Sequence, residues 1–95
     1  MRFEWDASKS EANLDERGFD FEFASLIFDG PTLDVEDRRK DYGERRMVAI
    51  GVADGLHLTV VYTDRENTSG PVTRRIISAR RSSRHERKFY QKAER

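Results

Sequence analysis

Arginines are the residues whose type and spacing most directly suggest chemistry in this sequence. From Thr73 to Tyr90 the chain reads T-R-R-I-I-S-A-R-R-S-S-R-H-E-R-K-F-Y, with Arg74, Arg75, Arg80 and Arg81 at the two ends of the apolar pair Ile76 and Ile77. The isoleucines favour a strand, and the small residues Ser78 and Ala79 extend it. A guanidinium on a stiff strand presents a planar fork of donors that never loses its charge, which suits it to gripping phosphate. Arg65 closes a second stretch of this kind, V-V-Y-T-D-R. Alternation along a regular strand sends Arg75 and Arg80 to opposite faces, so either a bulge lies between them or only one of the two serves a common site. Arg75 is equally suited to an ion pair with an acid such as Glu86.

The overall charge hides an asymmetry that supports a polyanion partner. The 95 residues carry 18 Lys or Arg and 18 Asp or Glu, yet Met1 to Asp54 holds 14 acids against 8 bases, a net of −6, and Gly55 to Arg95 holds 4 against 10, a net of +6. Such segregation fits a basic face for nucleic acid, unless the two halves pair with each other in the fold. The chain has no cysteine and only His57 and His85, which argues against disulfides, thiolate metal sites and a histidine-rich metal centre. The opening M-R-F-E-W-D lacks the apolar run of a signal peptide, and no stretch reaches membrane-spanning length. These features lead us to expect one cytoplasmic domain over residues 1–95, with neither metal nor cofactor.

The elements that must position the arginines follow from periodicity and caps. Arg2 to Trp5 alternates as a short strand. Ser8 with Glu11 has the form of a capping box for a helix from Lys9 to Arg17, ended by Gly18, with Lys9, Asn13 and Arg17 on its polar face. Asp20 can cap a second helix whose Phe21, Ala24, Ile27 and Phe28 form an apolar stripe, stopped by Asp29-Gly30-Pro31. A short strand over Thr32 to Val35 and a charged connecting loop from Glu36 to Glu44 come next. Arg46 to Ala53 and Leu56 to Thr63 flank Asp54-Gly55 as an antiparallel hairpin. On its second strand Leu58, Val60 and Tyr62 point to the core, and Thr59, Val61, Thr63 and Arg65 to a working surface. Val72 to Ala79 completes the meander, and Ser83 with Glu86 opens a last helix to about Ala93. The order β-α-α-β-β-β-β-α predicts an α+β domain with an antiparallel sheet and helices on one face.

Several of these stretches together resemble the BrnT family. They are the opening F-E-W-D with Lys9 and Asn13, the F-D-F-E-F-A-S-L-I-F-D-G-P helix, Gly43-Glu44-Arg45, Ile50-Gly51, V-V-Y-T-D-R, and R-I-I-S-A-R followed by E-R and Tyr90. The resemblance covers nearly the whole chain in the same order. It implies a RelE-like fold, with two N-terminal helices packed on one face of the sheet and a C-terminal helix. The implied activity is that of a ribonuclease toxin of a type II toxin–antitoxin system, which arrests growth. The implied partner is a BrnA-like ribbon-helix-helix antitoxin, through which alone the complex touches DNA. The chain departs from the family pattern at the end of the first helix, where Glu16 and Arg17 replace a usual lysine and histidine, and in a longer loop from Asn67 to Pro71. If that histidine moves protons in relatives, the alternative is a catalytically impaired module that binds only RNA or antitoxin. A second alternative is an ordinary structural subunit whose charges pair internally.

Metal-free RNA cleavage needs a base for the 2′-hydroxyl, cations for the phosphorane and an acid for the leaving 5′ oxygen. Arg65 and Arg80 are the candidate catalytic cations, and together with Arg75 and Lys9 they could surround a single phosphate. Glu44, between Gly43 and Arg45, is the candidate base, although a loop ion pair is the commoner role for such a residue. Tyr90 could orient or donate a proton, or equally pack in the core. Lys9, Arg75, Arg81 and Arg84 are expected to bind RNA. The last helix, basic with a narrow strip of Phe89 and Ala93, is where an acidic or apolar antitoxin segment is expected to lie.

Overall fold

A computed structural model describes residues 1–67 and 69–93, residue 67 by its backbone only. The chain forms β1 (Arg2–Trp5), α1 (Ala7–Arg17), α2 (Phe21–Ala24) running on as a 3-10 segment (Ser25–Asp29), β2 (Leu33–Glu36), β3 (Met47–Ala53), β4 (Leu56–Asn67), β5 (Gly70–Arg81) and α3 (Arg84–Ala93). This is the expected order of elements. Of the loop expected from Asn67 to Pro71, Thr68 lies outside the described residues, while β4 and β5 carry the hairpin to Asn67 and from Gly70.

The caps show how local chemistry sets the helix ends. Asp6, not Ser8, caps α1, its side chain accepting from the Lys9 N–H, so the helix begins two residues before the expected start. Gly18 ends it at φ 85°, its N–H donating to the Leu14 carbonyl. Asp20 caps α2 through the Phe23 N–H at 2.9 Å, as expected. The α-helical part lasts only one turn. The Ser25 hydroxyl bonds back to the Glu22 carbonyl, and the chain tightens into the 3-10 segment before Gly30-Pro31. The Ser83 and Glu86 capping box is present in both directions: Glu86 N–H donates to Ser83 Oγ at 3.1 Å and Ser83 N–H to Glu86 Oε1 at 2.7 Å.

The sheet order is β1-β5-β4-β3-β2. It is mixed, which corrects the expectation of an all-antiparallel sheet. The meander from β2 to β5 is antiparallel, but β1 enters beside β5 in parallel, Arg2 opposite Thr73 and Trp5 opposite Ile76. Strands this far apart in sequence have no tight turn to impose an antiparallel pairing. The Asp54-Gly55 turn has both residues at positive φ, 48° and 80°, the geometry that matches strand twist in a two-residue hairpin.

One face of the sheet carries the core. Ala49, Ala53, Leu58, Val60, Tyr62, Ile76 and Ala79 pack there with Phe19, Phe21, Ala24 and Ile27. Gly51 is required by this packing, because a Cβ at that position would stand 2.9 Å from the Ile27 Cβ. α1 joins through polar residues: Ser10 and Asn13 are buried, whereas Leu14 is 49 % exposed. Ser10 Oγ accepts from the Phe21 N–H, and Asn13 donates to the Phe19 carbonyl. The expected polar stripe of α1 is therefore partly its docking face.

α3 contacts the other face. Its Glu86 grips Arg80, which stands opposite Thr59, and its Tyr90 ring meets His57 edge-on at 5.8 Å. Thr59 and His57 alternate with the core residues Leu58 and Val60 along β4, so α3 lies across from the Ile27 side rather than on a single helical layer with it.

Candidate phosphate-binding face

The arrangement of the arginines rests on one irregularity. The β4–β5 register runs Thr59 to Arg80, Val60 to Ala79 and Val61 to Ser78, then resumes at Tyr62 to Ile76 and Thr63 to Arg75. Ile77 is thus an extra residue in β5, a bulge. It puts Arg75 and Arg80, an odd and an even position, on the same face as Thr59, Val61, Thr63 and Arg65. This is the working surface read from the alternation of β4.

Across that face the register defines three rows. Leu33, Ile50, Thr59 and Arg80 form the first, Val35, Val48, Val61 and Ser78 the second, and Thr63, Arg75 and Glu4 the third. Arg80 and Arg75 are separated by the four steps along β4 from Thr59 to Thr63, about 13 Å at roughly 3.3 Å per residue. As they stand they address two points. The expectation that one phosphate sits among all the arginines gives way to a track with a cation at each end.

Each end holds a carboxylate. Arg80 donates Nη1 and Nη2 to the two oxygens of Glu86 at 2.7 and 2.8 Å. Those bonds, with the Ser83 N–H, pull the Glu86 carboxyl down to about 2, and Glu86 in turn raises the Arg80 guanidinium. At the other end Arg65 and Arg75 approach Glu4 more loosely, at 3.8 and 3.6 Å. Arg75 therefore does not pair with Glu86; its acid is Glu4, which sequence reasoning missed. The available signal was Glu4 in the alternation of β1, but only the parallel register with β5 reveals its partner.

Other candidates are placed apart from this track. Glu44 pairs with Arg46 at 3.1 Å in the β2–β3 connection, and Arg46 stacks on Tyr42. Tyr90 is buried and its hydroxyl donates to the Pro31 carbonyl at 2.8 Å, so α3 is anchored through it. Lys9 is exposed on α1, the helix that docks on the core side. Arg81 is exposed opposite Leu58 at the end of β5, and Arg84 is exposed on the first turn of α3. Arg17 donates to the Asn13 side chain and, at 2.8 Å, to the Ala79 carbonyl, beyond the last rung of β1. Arg17 is thus a clamp between α1 and β5.

The β2–β3 connection supplies a feature absent from the sequence reading. Asp37, in a segment too charged to expect burial, is only 7 % exposed. Arg39 donates Nε and Nη2 to it at 2.9 and 2.8 Å, the Arg39 N–H at 3.2 Å and the Tyr42 hydroxyl at 3.3 Å. Arg39 thereby holds the Asp37 carboxyl at about 2. Asp37, Arg39, Val48, Val61, Ser78 and Arg80 line a cleft of about 370 Å3 on the arginine face.

Among the described residues no three His, Cys, Asp or Glu side chains gather as they would around a metal ion, and no helix is long and apolar enough to cross a membrane. No curated protein matches the chain. A family model described as the ribonuclease toxin BrnT of a type II toxin–antitoxin system matches residues 5–86, a span that includes Arg65, Arg75, Arg80 and Glu86. A family of this kind implies an antitoxin partner. The chain belongs to the BrnT family, the ribonuclease toxins of type II toxin–antitoxin systems.

Proposed function

We propose that this toxin cleaves single-stranded RNA on the arginine face without a metal, and that Arg65 and Arg80 are its essential cations. The observation that carries the reading is the Ile77 bulge, which turns Arg75 and Arg80 to the same side as Arg65. Arg65 and Arg75 converge on Glu4, so the reacting phosphate takes the place between them, with Arg80 on the neighbouring phosphate. Glu4, held only at 3.6 to 3.8 Å, draws the proton from the 2′-hydroxyl. The 2′ oxygen attacks phosphorus, the guanidiniums stabilise the phosphorane, and the bond to the 5′ oxygen breaks as that oxygen takes a proton from water, leaving a 2′,3′-cyclic phosphate and a 5′-hydroxyl. Glu44 is the second candidate base, closer to its own ion pair than to the track. Arg84, on the first turn of α3, adds charge beside the Arg80 end of the path, Arg81 and Lys9 add to the basic field from outside it, and Tyr90 holds α3 so that Glu86 meets Arg80.

The fold is of the RelE-like kind, with α1 and α2 on one face, a reading supported by the contacts of Ile27 and Arg17 with the sheet. The protein acts in the cytoplasm and arrests growth until a BrnA-like ribbon-helix-helix antitoxin forms a hetero-oligomer with it, and only the antitoxin contacts DNA. α3 offers such a partner Phe89, 54 % exposed, among Arg84, Arg87, Lys88 and Lys92, which suits an acidic segment with an apolar anchor. The test is growth of a bacterial culture after induction of this chain alone, beside Arg65→Ala and Arg80→Ala proteins shown to be folded. Arrest by the wild type that both variants relieve supports the reading. Equal growth of all three with folded protein contradicts it and favours a module that only binds.

A further inference from the structure

The middle row of the arginine face is apolar, and nothing in the chemistry above uses it. Val48 and Val61 are half-buried neighbours across β3 and β4, and Val35, 50 % exposed, extends them on β2. Valines left open in the middle of a charged face lose the benefit of burial unless something covers them. The row lies two residues, about 7 Å, from the arginine row on either side. That spacing leaves room for a flat ring on the valines with charged groups at its edges.

The β2–β3 connection closes the space from one side. Arg39 lines the same cleft as Arg80, its guanidinium oriented by the Nε and Nη2 bonds to Asp37. Arg80 is oriented by Glu86 in the same way. Two guanidiniums, each aimed by a bidentate carboxylate, thus face one cleft over a valine floor, with the exposed Ser78 hydroxyl at its edge. Guanidinium planes stack on bases and their edges bind phosphate, and the cleft volume of about 370 Å3 falls within the range of small-ligand sites.

We propose that this cleft is a nucleotide subsite, in which one unpaired RNA base lies on Val48 and Val61 under the Arg39 guanidinium and its phosphate is held by Arg80. The subsite rests on the reading of this face as the RNA-binding one. It selects single-stranded RNA, because a paired base cannot reach the floor, and it gives the β2–β3 connection a part in substrate recognition.

The test uses the whole chain and a short 2′-O-methyl RNA, which cannot be cleaved by 2′-hydroxyl attack, with binding followed by fluorescence anisotropy. One abasic residue is moved through the oligonucleotide in turn. The wild type is expected to lose about tenfold in affinity when the abasic position meets the valine floor. Arg39→Ala and, independently, Val61→Ser are expected to weaken the intact oligonucleotide by a similar factor and to bind the abasic one no worse than that, provided circular dichroism shows them folded. If both variants bind the intact RNA as the wild type does while Arg80→Ala binds it more weakly, the face binds RNA and the subsite is wrong. If the wild type shows no salt-dependent binding to either oligonucleotide, the RNA-binding reading of the face falls with it.

Discussion

Arg74 and Arg75 are adjacent in sequence and stand on opposite faces of β5, where one serves packing and the other is available to a ligand. Arg74 faces the core side. Its side chain is 14 % exposed, bonds both oxygens of Asp64 at 2.7 and 2.9 Å, and lies over the rings of Tyr62 and Phe28 at 4.0 and 4.7 Å. Tyr62 extends the network to Asp34, and burial with that hydrogen bond raises its hydroxyl. Arg75 faces outward and meets Glu4 only at 3.6 Å. A guanidinium satisfied on its edge and covered on its face has nothing left for a substrate, whereas one loosely held can exchange a carboxylate for a phosphate. Basic residues in this chain therefore sort by face, not by their place in the arginine run.

That contrast can be broken by substitution, and the largest effect is expected in activity. Arg65→Ala, which removes a transition-state donor, and Arg80→Ala, which frees the neighbouring phosphate to shift, should each lower RNA cleavage by about a hundredfold or more; the urea midpoint stays close to the wild type for Arg65→Ala and falls slightly for Arg80→Ala, which leaves Glu86 without its partner. Arg74→Ala should do the reverse: cleavage by the folded fraction changes little, and urea unfolding shows a loss of about 2–3 kcal/mol as a partly buried pair and its ring contacts disappear. Tyr90→Phe removes the bond to the Pro31 carbonyl while keeping the ring on His57, and should cost about 1 kcal/mol in the same assay. The smallest effect concerns pH. Glu86 is lowered from 4.5 to about 2, so its pairing stabilises the fold above about 4.5 and that contribution is lost as pH falls towards 2. Partial exposure of the pair limits it to about 1 kcal/mol. Glu86→Gln should flatten the acid limb of a stability profile in that window and leave stability differences above it constant.

Most of the element order was legible because its signals are local. Asp54-Gly55, the Ser83 and Glu86 box, Gly18 after α1 and the alternation of β4 each act within a few residues. The α1 cap was missed because Asp6 and Ser8 are both capable caps two residues apart, and only the observed turn chooses between them. What the sequence hid was long-range register. The bulge at Ile77 leaves no mark in residue type, since Ile76 and Ile77 both suit a strand, yet it decides which arginines share a face. The parallel pairing of β1 hid Glu4, and a short-range chelate of Asp37 by Arg39 made a buried carboxylate within a segment that reads as a solvated loop. Arg65 and Arg80 were legible as cations; their separation into two points was not.

The central claim is that the open face cleaves RNA through its arginines. The most direct measurement is incubation of the purified chain with end-labelled single-stranded RNA in excess chelator, beside Arg65→Ala and Arg80→Ala, with the end groups of the products identified. Fragments ending in a 2′,3′-cyclic phosphate and a 5′-hydroxyl from the wild type, reduced by about a hundredfold or more in both folded variants, are the predicted result. Cleavage that stops in chelator, or that persists unchanged in both variants, contradicts the account.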